Sequence, residues 1–409
     1  MLNGNRPRAG RTIGSILKLA AGWSLLNVCL VTASAVQAET TMRFQRLSID
    51  DGLSQSNIQA IVQDQSGLLW FATENGVNRF NGYEFTIYRR DRSSSNALEN
   101  DFVSDMAVDE NGDIWMATDG GGLARWDSTN DNFRTYKHAP FDPTTIADDH
   151  VSTVVATGAG VVWIGTRGSG VNRLDTGSGS VTHFSHDPAN PESLSNDDIY
   201  ELARDPSGAL WAATQQGLNR IDPETGAVTR YLNDPADPNS LSDNIVESMY
   251  IDSAGTVWAG TFAGGLNRLD AGSQIFHHYR HQDDIPGSLS DDRVQVIFED
   301  SSQRLWIGTA AGLNLMNRDT GTFTRYLHDP ADETSLSGDN IMSMFQDRSG
   351  VLWVGTQLNG VNAWNPRSWS FGHHVPRSRA DSGLSSPLIS SFAQSSTGEL
   401  WIGTFGSGI

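Results

Sequence analysis

Apolar residues from about Phe44 onward come in short runs broken by Asp, Asn, Ser and Gly, and no run keeps a 3.6-residue spacing long enough for a helix. The runs recur. Tryptophan stands at Trp70, Trp115, Trp163, Trp211, Trp258, Trp306, Trp353 and Trp401, at spacings of 45 to 48 residues. A fixed period in this range marks a solenoid, propeller or array. Each tryptophan is preceded by Leu, Ile or Val, followed two residues on by Ala or Gly, and three on by threonine, from Thr73 to Thr404. Nine and twelve residues before it the side chain is apolar, as at Ile61 and Ile58 or Met344 and Ile341.

Each period divides into four short strands. In the first unit these are Asn57 to Asp64, Leu68 to Thr73, Val77 to Asn81 and Phe85 to Tyr88, with an Asp-x-x-Gly turn between the first two. The second is apolar at successive positions, so both of its faces are buried. Four antiparallel strands per 40–50 residues is a propeller blade, and the reading is all-β: a seven-bladed β-propeller of four-stranded blades. Residues 44–47 (FQRL) match the fourth-strand pattern, and a lone strand there can complete a last blade and remove an open edge. The expected layout is a ring over 39–366 closed by strand 43–47, then the truncated first part of a second propeller over 367–409. A single eight-bladed ring is the rival, with its last blade lacking a third strand. The chain stops inside GELWIGTFGSGI, in the middle of a repeated phrase, which suggests a fragment.

Residues 1–38 differ in kind. Arg6, Arg8, Arg11 and Lys18 precede a mostly apolar stretch, and Val36-Gln37-Ala38 offers a cleavage site, so a signal peptide and a periplasmic location are expected, with a membrane anchor as runner-up. The one cysteine, Cys29, lies inside that segment, so the remainder has no disulfide. The full chain carries a formal charge of −20, and cleavage would leave it more negative still. Such a surface disfavours nucleic acid and anionic membranes, which reward clustered Lys and Arg.

Most candidates for chemistry read as structure. Asp64, Asp109, Asp205, Asp252, Asp300 and Asp347 stand six residues before tryptophan, in a pattern that resembles the Asp-box turn of sialidase propellers, and aspartate there caps a hairpin. Residues 109–113 (DENGD) lack the bidentate glutamate of a calcium loop. His138, His186, His281 and His328 occupy equal positions on different units, which argues against one shared metal. Arg79, Arg125, Arg173, Arg220 and Arg268 are likewise periodic. No cofactor and no catalytic set is expected. Unlike residues at one offset are more informative: the position after each threonine reads Glu74, Asp119, Arg167, Gln215, Phe262, Ala310, Gln357 and Phe405. All fall on the face carrying the long connections. Acid, amide, arginine and aromatic around one rim suit a polar small-molecule or oligosaccharide ligand, so Glu74, Asp119, Arg167, Gln215, Phe262 and Gln357 are the candidate binding residues.

The stretch GLSQSNIQAIVQDQSGLLWFATENGVNRFNGYEFTIYRRD, residues 52–91, and its copies resemble the two-component regulator propeller family. The resemblance implies the periplasmic sensor half of a transmembrane receptor whose missing parts are a second propeller, an immunoglobulin-like domain, a membrane helix and a histidine kinase or diguanylate cyclase. It allows a homodimer of the full-length receptor and often goes with polysaccharide breakdown products as ligands. No kinase or cyclase motif occurs in this chain, so it is expected to be non-enzymatic. A secreted propeller lyase or glycosidase is the alternative from another class.

Overall fold

The computed structural model describes residues 42–94, 96–158, 160–367, 386, 388–395 and 400–406, so the expected signal peptide and the junction after 367 lie outside the described residues. Seven four-stranded antiparallel sheets form a ring, each with its strands in sequence order except the last. Blade 1 consists of Ala60–Gln63, Leu69–Thr73, Gly76–Phe80 and Phe85–Tyr88. In blade 7 the order is broken: Ile341–Gln346, Leu352–Thr356 and Val361–Trp364 are completed by Gln45–Leu47, which pairs antiparallel with Val361–Trp364. The ring therefore closes with seven blades rather than the rival eight. Beyond it, Ile389–Gln394 pairs with Leu400–Thr404 as a two-stranded sheet.

The repeating residues explain the repeating structure. In six blades the tryptophan indole N–H donates to the aspartate six residues earlier, for example Trp70 to Asp64 Oδ2 at 2.8 Å and Trp258 to Asp252 Oδ2 at 2.9 Å. The other carboxylate oxygen takes a backbone amide of the same turn, as Asp64 Oδ1 does from Leu68 at 3.0 Å. Each aspartate thus caps its turn and fixes an indole. The indoles are the seals between blades: seven apolar clusters lie one at each blade interface, and each contains one of the seven periodic tryptophans from Trp70 to Trp353, with Trp126 and Trp364 added in two of them. Trp353 packs with Phe71 and Phe80 of blade 1, so the last interface is built like the others. Burying one such aromatic face contributes roughly 1.5–3 kcal/mol, and seven repeats make the ring cooperative.

The remaining periodic residues hold the loops. Each threonine after the tryptophan donates to the glycine carbonyl that opens the third strand, as Thr166 Oγ1 does to Gly170 at 2.8 Å. His138, His186, His281 and His328 place Nδ1 against carbonyls of Ile146, Leu194, Leu289 and Leu336 at 2.6–2.9 Å, so they brace equivalent loops on four blades. Arg79, Arg125 and Arg173 stack on Trp70, Trp115 and Trp163, while Arg220 and Arg268 pair with Asp205 and Asp270. In the stretch 109–113, Asp113 is buried against Arg125 and Asp109 takes the Trp115 indole, which leaves those carboxylates committed to structure.

Candidate ligand site at the mouth of the central channel

The first strand of every blade faces the ring axis, because these strands pack on one another around the circle. In blades 2 to 7 this strand carries a bulge next to its first paired residue. The bulge inserts one residue that is opposed by none on the neighbouring strand and re-aims its side chain. The extra residues are Ser104, Ser152, Tyr200, Glu247, Gln295 and Met342, and together with Gln59 of blade 1 they line a channel of about 220 Å³. One residue deeper, Asp105, Thr153 and Glu201 line the same bore.

Two of these acids bridge blades. Asp105 Oδ2 accepts from Thr153 Oγ1 and from the Val154 amide, both at 2.9 Å, and Glu201 Oε2 accepts from the Met249 amide at 2.6 Å. Burial among the inner strands lifts the Asp105 carboxyl above its usual range, against the pull of those donors. Burial likewise pushes Glu201 up to about 8, and the negative charge of Asp105 adds to the lift. Both keep some accessible surface on the bore, while protein surrounds the rest of each side chain.

At the loop-rich end of the bore two stacked pairs rise from neighbouring blades. Arg167 lies 4.4 Å from the Tyr200 ring centroid and pairs with Asp198 at 3.4 Å. Arg293 lies 4.9 Å from the Phe262 centroid and grips Glu247 with Nε and Nη2 at 2.8 and 2.9 Å. Such a two-pronged contact fixes the guanidinium plane over the ring. Burial and the charges of Asp198 and Glu247 raise the Tyr200 hydroxyl, which stays protonated as a donor at neutral pH.

Of the rim residues expected from the sequence, Arg167 and Phe262 belong to this cluster, through Tyr200 and Arg293. Glu74 and Gln357 flank the other side, across the ring closure. Glu74 takes Asn57 Nδ2 at 2.7 Å and Gln55 Nε2 at 3.1 Å, while Gln357 Oε1 takes Asn340 Nδ2 at 2.6 Å. Asp119 and Gln215 are exposed on blades 2 and 4, each with its amide bonded to the start of the inner strand, at Phe102 and Asp198. Tyr200, Glu247, Arg293, Asp105 and Glu201 are not among the sequence-derived candidates. Their signal lies in the offsets ten to thirteen residues before tryptophan: the apolar twelfth is constant, while its neighbours change from blade to blade.

The fold and the mouth define the class: a seven-bladed propeller with a polar, aromatic-edged axial site. A family model described as two component regulator propeller matches residues 52–75, 97–120, 240–263, 288–311 and 335–357. Five of the repeats thus match the two component regulator propeller model. Among solved structures it is similar to the extracellular domain of a hybrid two component system, BT3049 of B. thetaiotaomicron, with a TM-score of 0.74 and 25% identity over 89% of this chain and 47% of that one. The extracellular domain of BT4673 from the same organism matches at a TM-score of 0.64 and 21% identity, over 88% of this chain and 44% of that one, and shows the fold. A streptogramin B lyase shares the fold at a TM-score of 0.59 and 16% identity, over 79% of this chain and 97% of that one. A 55-residue stretch is 42% identical to histidine kinase P4 of Formosa agariphila, covering 13% of this chain and 4% of the kinase. The chain therefore spans under half the length of the two receptor domains and a small part of the kinase.

Proposed function

We propose that this ring is the ligand-sensing part of a transmembrane two-component receptor and that it binds its ligand at the loop-rich mouth of the channel without transforming it. The observation that carries the reading is the likeness, along 89% of the chain, to an extracellular domain of a hybrid two component system. The mouth supplies the recognition chemistry: two guanidinium–aromatic stacks, a carboxylate beside each, and amide pairs opposite. Flat aromatic edges next to charged and amide groups suit a sugar ring, whose axial hydrogens stack while its hydroxyls find donors and acceptors. The ligand class is accordingly an oligosaccharide. A leader over 1–38 would deliver the ring to the periplasm. Among the described residues no helix is long and apolar enough to cross a membrane. Output through a histidine kinase is favoured over a diguanylate cyclase by the kinase match.

Calorimetric titration of the purified ring with oligosaccharides, followed by chromatography of the mixture, tests this. Saturable binding with intact sugar recovered supports the sensor. Cleavage products would replace it with the secreted lyase or glycosidase reading.

A further inference from the structure

Away from the mouth, on the face of the tight turns, a cleft of about 650 Å³ opens between blades 4 and 5. Its floor is Trp211 and Tyr231, whose rings stack at 5.5 Å, with Val257 and Leu269 beside them. Asp205, Arg220 and Asp270 stand at its edge. Between blades 2 and 3 the equivalent space is about 30 Å³.

The repeat shows what is missing. Between blades 5 and 6 the indole of Trp258 is covered by Arg318, which reaches back from the turn of blade 6. Its guanidinium carbon lies 5.7 Å from the indole centroid, and its Nη1 meets Asp252 Oδ2 at 2.7 Å. Between blades 1 and 2 another planar group, Trp126, lies 4.6 Å from Trp70. In blade 5 the residue in register with Arg318 is Ala271, sixty residues after Trp211 just as Arg318 is sixty after Trp258. The next residue, Gly272, has nothing within 4 Å of where a Cβ would stand. Asp205, the counterpart of Asp252, still faces the vacancy and holds the Trp211 indole at 3.0 Å. Its pairing with Arg220 is at 3.4 Å, longer than the Arg318 bond to Asp252.

We propose that this cleft receives an arginine side chain from a partner protein, in the position that Arg318 occupies in the next interface. The guanidinium would lie over Trp211 and share the Asp205 carboxylate, a cation–π contact reinforced by an ion pair. An acidic chain, at −20 overall, attracts a basic partner segment and adds to the complementarity. This surface is separate from the ligand mouth and does not depend on what binds there.

The test uses the whole ring and a short probe, acetyl-Gly-Arg-Gly-amide, with the lysine peptide as control. Binding is read by NMR on the Trp211 indole signal, assigned with a Trp211→Phe variant. The account predicts that the arginine peptide shifts this signal saturably and the lysine peptide at least tenfold more weakly. Ala271→Arg, which rebuilds the Arg318 arrangement in place, should raise Tm and weaken the peptide at least tenfold. Ala271→Gln, a smaller filler, provides the same comparison should the arginine variant fold poorly. No saturable shift in the wild type, or equal binding by the wild type and a folded filled variant, overturns the proposal.

Discussion

Arg46 donates through Nη2 to the carbonyl of Ser335 at 2.9 Å, across 289 residues of chain. Arg230 and Arg325 hold the equivalent carbonyls, of Ser193 and Ser288 in the loops that lead into their own blades, through Nε at 2.7 and 2.8 Å. The strand Gln45–Leu47 therefore does for blade 7 what a fourth strand does for blades 4 and 6. Ser48 then caps a short 3₁₀ turn, Ile49–Asp51, that leads the chain into blade 1.

Removing that clamp should loosen the ring as a whole. Arg46→Ala strips partners from loop carbonyls of Asp332, Ser335 and Leu336. We expect a loss of about 1–3 kcal/mol in urea unfolding with one cooperative transition kept. Deletion of residues 42–47 exposes an unpaired strand edge and should give aggregation visible by light scattering.

The aspartate–indole bond gives a second prediction. In Asp64→Ala the buried indole N–H of Trp70 and the turn amide of Leu68 both lose their acceptor. The expected cost is roughly 1–3 kcal/mol for each donor left unpaired, less whatever water recovers, read by chemical denaturation. Asp64→Asn keeps one acceptor oxygen and should lose less.

Backbone geometry gives a third. Gly265 opens the third strand of blade 5 with φ at +79°, and a Cβ there would collide with the carbonyl oxygen of Tyr279. Gly360 faces Leu47 of the closing strand in the same way. Gly265→Ala combines left-handed strain with a backbone clash, so a loss of at least ~2 kcal/mol is expected. Gly255→Ala, also left-handed but with open space around it, should cost less.

The channel acids make stability depend on pH. Glu201 is pushed from 4.5 to about 8 in the folded ring, so the native state holds a proton that the unfolded chain has released. Its contribution is full below about pH 4.5 and is lost as pH rises toward 8. Asp105 shifts in the same direction. Melting curves between pH 5 and 8 should show Tm of the wild type falling relative to Glu201→Gln, which keeps an acceptor for the Met249 amide. At pH 8 the variant should be the more stable, on the order of 1 kcal/mol after screening by water in the bore. Parallel profiles for the two proteins would contradict this.

The architecture was legible because a propeller repeats its constraints. Each tryptophan, its small neighbour and its threonine serve the same packing in every blade, so one chain supplies its own comparison. The strand ends were less legible. Blade 1 pairs only from Ala60, where the sequence pattern starts the strand at Asn57, because Ile58 turns its amide to the Thr356 carbonyl of blade 7 at 3.2 Å. The candidate mouth was legible in its outline: the residue after threonine includes Arg167 and Phe262, which stack on Tyr200 and under Arg293. Tyr200 and Glu247 escaped because a bulge, which alternation along a strand does not announce, turns them toward the axis. The cleft at Ala271 escaped for a different reason: it depends on a small residue in one blade and on Arg318 in the next.

The most direct test of the central claim is the thermal shift produced by an oligosaccharide panel on the wild type and on Phe262→Ala. Phe262 is 45% exposed, so its truncation should leave the fold intact. The account predicts at least one sugar that raises Tm of the wild type, with the shift lost or greatly reduced in Phe262→Ala and the sugar recovered unchanged. A shift of equal size in both proteins, or a sugar consumed during the experiment, would contradict it.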